Sequence, residues 1–121
     1  MSRNGILMLA AAATLFCSAN AAVASTPFDG NWSVVIITDK GGCDRAYRYP
    51  VSIRNGVVYY SGDVVNFNGR VSGNGAVSVV VSRGEQRASG SGRLSRNSGG
   101  GTWRGASSTD RCSGRWQAER R

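Results

Sequence analysis

The side chains able to do chemistry in this chain are arginines and aromatics. Fifteen basic residues, all arginine except Lys40, stand against seven acidic ones, and histidine is absent. Arginine grips carboxylates and phosphates through parallel N–H donors, so a formal net charge of +8 suits anionic partners. Those include phosphate, lipid headgroups, acidic glycans and acidic protein surfaces. Without histidine there is no triad and no imidazole base, and no cluster of His or Cys to hold a metal. The carboxylates Asp29, Asp39, Asp44, Asp63, Glu85, Asp110 and Glu119 are scattered, mostly in turns or on polar faces. No spacing pairs them. An enzyme is not expected, nor a cofactor or a metal.

Cysteine usage and the first residues set the compartment. Residues 1–24 read as a secretory signal peptide: Arg3 supplies the positive start, Ile6 to Cys17 the apolar run, and Ala22-Val23-Ala24 before Ser25 a small-x-small cleavage site. The apolar run falls short of the roughly 20 residues that a membrane span needs. The expected mature protein is a single domain over 25–121, exported to the periplasm or beyond the cell. It keeps Cys43 and Cys112, which in an exported chain are expected to form one disulfide.

These residues have to be positioned by strands, because no window shows a helical apolar period. Apolar residues alternate instead, between turn signals about 8–14 residues apart, the pattern of an antiparallel all-β barrel or sandwich. Trp32 to Thr38 opens the series and Ala46 to Arg54 follows, with Tyr47, Tyr49, Val51 and Ile53 on one face. Asn55-Gly56 is a strong hairpin turn. Further strands are expected at Val57 to Tyr60, around Val65 to Val71, over Ala76 to Arg83, and around Ala88 to Leu94. A mobile loop is expected at 96–100, then short strands at Gly101 to Gly105 and from Cys112 onward. The expected fold is an eight-stranded antiparallel up-and-down β-barrel with one disulfide; a β-sandwich of six to seven strands is the alternative.

All three tryptophans sit two residues after a glycine: Gly30-Asn31-Trp32, Gly101-Thr102-Trp103 and Gly114-Arg115-Trp116. Trp32 is expected to plug one end of the barrel, and the later pair to return and close it.

Gly30-Asn31-Trp32 on the first strand, with an arginine-rich last strand, resembles the calycin superfamily of lipocalins, avidins and small barrel inhibitors of bacterial envelopes. That resemblance implies a calycin-like barrel in which Trp32 packs at the closed end with a basic residue, Arg120 or Arg121, laid across it. The stretch from Tyr47-Arg48-Tyr49-Pro50 to the segment Cys112–Arg121 is similar to small exported proteins of Gram-negative bacteria. Some of these carry labels of haem-utilisation or adhesion exoproteins. After cleavage the chain has neither His nor Met, so only tyrosine is left to ligate haem iron.

Two non-enzymatic functions follow. The leading expectation is a binding, inhibitor-like module whose outer face, Arg87, Arg93, Arg104 and Arg115, meets an anionic envelope component or an acidic protein. The alternative is a carrier of a small hydrophobic ligand inside the barrel, in a pocket lined by Tyr47, Tyr49, Phe67, Trp103 and Trp116. A cavity above roughly 300 Å³ favours the carrier. Nucleic acid is not expected, since the aromatic and arginine faces lie on opposite sides of the strands.

Overall fold

The computed structural model describes residues 25–62 and 65–121; the expected signal segment lies outside the described residues. Eight strands follow one another: β1 (Gly30–Lys40), β2 (Ala46–Arg54), β3 (Val57–Tyr59), β4 (Asn66–Val71), β5 (Ala76–Arg83), β6 (Gln86–Leu94), β7 (Ser98–Ala106) and β8 (Arg111–Arg120). Each pairs with the next, and β8 pairs antiparallel with β1, so the sheet is a closed up-and-down barrel. Closure removes the free edge strands of an open sheet, though the seam is thin at β3, which pairs only with Ser52–Arg54 of β2 and with Gly69 and Arg70 of β4. The sandwich is not what forms.

Local sequence explains most of the turns. Asn55 and Gly56 both take positive φ, 55° and 78°, as a two-residue hairpin requires. The loop expected at 96–100 is shorter than the composition suggests. Ser98, Gly99 and Gly100 already pair with Glu119, Ala118 and Gln117 of β8. Strands on both sides hold them, and that tertiary pairing outweighs their poor β-propensity.

The repeated glycine–tryptophan step has a structural reason. In the β7–β8 register, Gly101 faces Trp116 and Trp103 faces Gly114, so the two steps pair reciprocally. Each indole lies over the glycine of the neighbouring strand and bonds the strand beyond. Trp116 Nε1 donates to Ser91 O on β6 at 3.0 Å, and Trp103 Nε1 donates to Ile37 O on β1 at 3.0 Å. Buried indole N–H groups need such partners, and only a residue without a side chain leaves the path open. Gly92 belongs to the same device, since a Cβ there would stand 2.6 Å from Trp116 Cζ2. Gly92→Ala should therefore cost about 1–3 kcal/mol of stability through overpacking, measured by urea unfolding.

The fully packed core sits at one end of the barrel. Phe28, Trp32, Ile53, Val58, Val71, Leu94, Trp116 and Ala118 form one buried cluster. Trp32 is its centre, 1% exposed. Its Nε1 donates to Phe28 O at 2.8 Å, and the Arg120 guanidinium lies 4.8 Å from its ring centroid. Arg120 also donates to the carbonyls of Pro27, Asp29 and Arg96 at 2.7–3.0 Å. One side chain thus pins the turn before β1 and the loop after β6 over the plug. Arg121 takes a different part: its backbone N–H donates to Asn31 O at 2.8 Å. Gly30 takes φ 132°, a backbone conformation that disfavours any side chain, and a Cβ there would also push on Arg120 Nη1 at 2.8 Å.

Asp29 fastens the same end. Its carboxylate accepts from Thr26 Oγ1 at 2.6 Å and from the Asn55 and Gly56 amides at 2.7 and 3.3 Å. These bonds, the Thr26 hydroxyl first, hold its pKa below the ordinary carboxylate value. A guanidinium does the same for Asp39, which Arg115 grips with two bonds of 2.9 Å. Both native-state pKa values are depressed, so the stabilisation is present above the unfolded value and is lost as pH falls through the folded one. Unfolding midpoints should stay level down to about pH 4 and drop below it. Asp29→Asn should flatten that acid limb, read as denaturant midpoint against pH.

Candidate functional site: an apolar cup

Above the plug the barrel is hollow. A cavity of about 510 Å³ runs from Trp32 at its floor to a rim formed by strand ends and loops at the other end of the barrel. Interior side chains at this level, among them Val34, Ile36, Val51, Phe67, Val77 and Trp103, are only partly buried. They face open space where the cluster below faces itself.

The wall is zoned by the strands that build it. On β2, the period-two alternation sends Tyr47, Tyr49, Val51 and Ile53 inward together. Tyr47 stacks on Tyr49 at 5.6 Å between centroids, Tyr49 meets Tyr60 edge-on at 5.5 Å, and Tyr60 tilts against Phe67 at 6.0 Å. That aromatic ladder climbs one wall to the rim, where Tyr47 is 51% exposed. Val77, Val79 and Val81 of β5 make an aliphatic panel, and Trp103 and Trp116 face them from β7 and β8. Polar groups gather at the rim, including Thr38, Asp44, Ser82, Gln86, Arg87, Ser107 and Asp110.

All five residues expected to line a pocket, Tyr47, Tyr49, Phe67, Trp103 and Trp116, line this cavity. Tyr60 was not among them. Its signal was present, as it follows Val58 in phase, but the strand ends before it at Tyr59. Only some of the interior glycines leave free volume. Gly92 is filled by the Trp116 ring, and at Gly114 a Cβ would stand 2.9 Å from Asp39 N of β1. Gly90 does border open space, since a Cβ there would meet nothing nearer than 3.5 Å.

The rim is braced by the disulfide, Cys43–Cys112, with a Cα–Cα distance of 6.2 Å. It ties the loop after β1 to the start of β8, and the Cys43 amide also donates to Cys112 Sγ at 3.2 Å. Nearby, the β1–β8 register shifts between Thr38 and Lys40. This bulge turns both Asp39 and Lys40 to the outside.

The four arginines expected to share one outer face are divided. Arg87 and Arg104 are diagonal neighbours, since Arg87 pairs with Ala106 and Arg104 with Ser89. Arg115 is close by but held by Asp39. Arg93 lies six residues along β6 from Arg87, roughly 20 Å away at about 3.3 Å per residue. There it donates to Asn74 O at 3.0 Å.

The fold and the cup define a class, a small closed barrel with an apolar interior and charged outer faces. Comparison with protein-family models, curated proteins and solved structures finds no match to the chain.

Proposed function

We propose that this protein is a non-enzymatic carrier of a small apolar molecule, held in the barrel cup in an exported setting. The observation that carries the reading is the cavity itself. About 510 Å³ falls within the roughly 300–1,000 Å³ usual for small-molecule sites. Its depth is apolar and aromatic while its polar groups stand at the rim, an arrangement that takes in a hydrocarbon body and leaves a polar end in water. Flat or aromatic ligands suit it best, since the ladder from Tyr47 to Phe67 offers ring faces and edges. The cup supports the carrier, where composition alone favours the outer arginine face. The disulfide supports an oxidising compartment.

Trp103 and Trp116 line the cup and report on its contents. Titration with N-phenylnaphthylamine, a neutral apolar probe, should change tryptophan emission saturably at one probe per protein. A response that is flat, or that rises without saturating, would overturn the carrier.

A further inference from the structure

On the outer wall the register sets out a line of cations that alternation alone does not show. Lys40 of β1 pairs with Ser113 of β8, and Arg104 of β7 pairs with the same serine. Arg111 of β8 and Arg87 of β6 both pair with Ala106 of β7. Lys40, Arg111, Arg104 and Arg87 are therefore successive diagonal neighbours, one on each of four adjacent strands, with steps of about 7–8 Å. They border a single open groove of about 570 Å³ on the outside of the barrel. The outward residues between them are small: Ser89, Ala106 and Ser113.

None of the four cationic side chains has a hydrogen-bond or ion-pair partner among the described residues. Two nearby acids are already engaged. Asp39 is bound by Arg115, and Asp110 accepts from the Arg111 and Gly42 amides at 2.8 and 3.1 Å. The cations are left to an outside partner.

We propose that this groove binds a linear acidic polysaccharide, laid across β1, β8, β7 and β6. An open groove whose cations stand in line across four strands, with small residues between them, matches an extended anionic chain. Trp103 and Trp116, the aromatics of β7 and β8, point into the barrel, so single-stranded nucleic acid finds no stacking surface here. The serines between the cations suit a polymer with one anion per ring and hydroxyls between, in preference to one charged at every link. The groove meets the rim of the cup at Arg87, but Lys40, Arg111 and Arg104 do not line the cup, so the proposal does not rest on the carrier reading.

The test compares two double variants at exposed positions. Arg104→Gln with Arg111→Gln removes the middle of the line. Arg48→Gln with Arg70→Gln removes the same charge from β2 and β4. Binding to size-defined alginate and polygalacturonate oligomers is measured against salt, with polyphosphate and anionic phosphatidylglycerol vesicles as parallel arms. The line variant should lose at least about tenfold in glycan affinity and shed about two from its salt slope, by counterion release. The control pair should lose under threefold, and both should bind the cup probe as the parent does. Equal losses in the two variants would mean net charge alone and overturn the site. Polyphosphate or vesicles binding more tightly than the glycans would overturn the occupant.

Discussion

Trp32→Ala should lower the stability of the barrel by about 3–5 kcal/mol, the range for removing a large aromatic from a packed core. Trp32 is the only large side chain with less than 2% of its surface exposed among the described residues, and it belongs to the buried cluster of the closed end. The change would leave the Phe28 carbonyl without its 2.8 Å bond and the Arg120 guanidinium without the ring beneath it. Small domains have roughly 5–15 kcal/mol in total, so much of the margin would go. Trp32→Phe keeps a ring but no N–H, and should cost clearly less. Urea midpoints for the three proteins check the order. Equal midpoints for Trp32→Ala and the parent would show that the plug is not the keystone of this end.

The second large effect lies at the opposite end. Replacing Cys43 and Cys112 together by serine should cost about 4 kcal/mol, since the bridge closes a loop with a sequence separation of 69. The loss acts mainly on the unfolded chain, which becomes free to expand. The denaturant m-value should therefore rise as the midpoint falls, because more surface is exposed on unfolding. Reducing agent should shift the parent in the same direction and leave the double variant unmoved.

These two fastenings were legible in the sequence to different degrees. The plug showed itself because Gly30-Asn31-Trp32 stands at the entrance to a β-branched strand and a basic residue returns near Arg120. Sequence left Arg120 and Arg121 open; three carbonyls within reach of one guanidinium decide for Arg120. The strands were legible wherever one face is buried, as in Tyr47-Arg48-Tyr49-Pro50-Val51-Ser52-Ile53, since period-two patterning records the side a residue faces.

What alternation cannot record is height along the barrel or the partner across it. Arg93 and Arg87 share a face but stand at different heights. Arg115 meets Asp39 across 76 positions of sequence. Lys40 reaches the outer wall only because a bulge shifts the register beside it. The repeated Gly-x-Trp step was visible, but its reciprocal pairing needed the β7–β8 register. The volume of the cup is a matter of packing, which composition does not express. Tyrosines and glycines are equally compatible with a filled core.

Gly90 offers the most direct test of the cup, because it borders open space while Gly92 and Gly101 do not. Gly90→Phe places a ring in the cavity with its Cβ in ordinary contact, 3.5 Å from the nearest atom. The measurement is the ratio of dissociation constants for N-phenylnaphthylamine between this variant and the parent, with near-ultraviolet circular dichroism confirming the fold. A filled cup should weaken the probe at least tenfold, about 1.4 kcal/mol, with the fold retained. Unchanged affinity in a folded Gly90→Phe barrel would place the probe elsewhere and contradict a carrier that works through its interior.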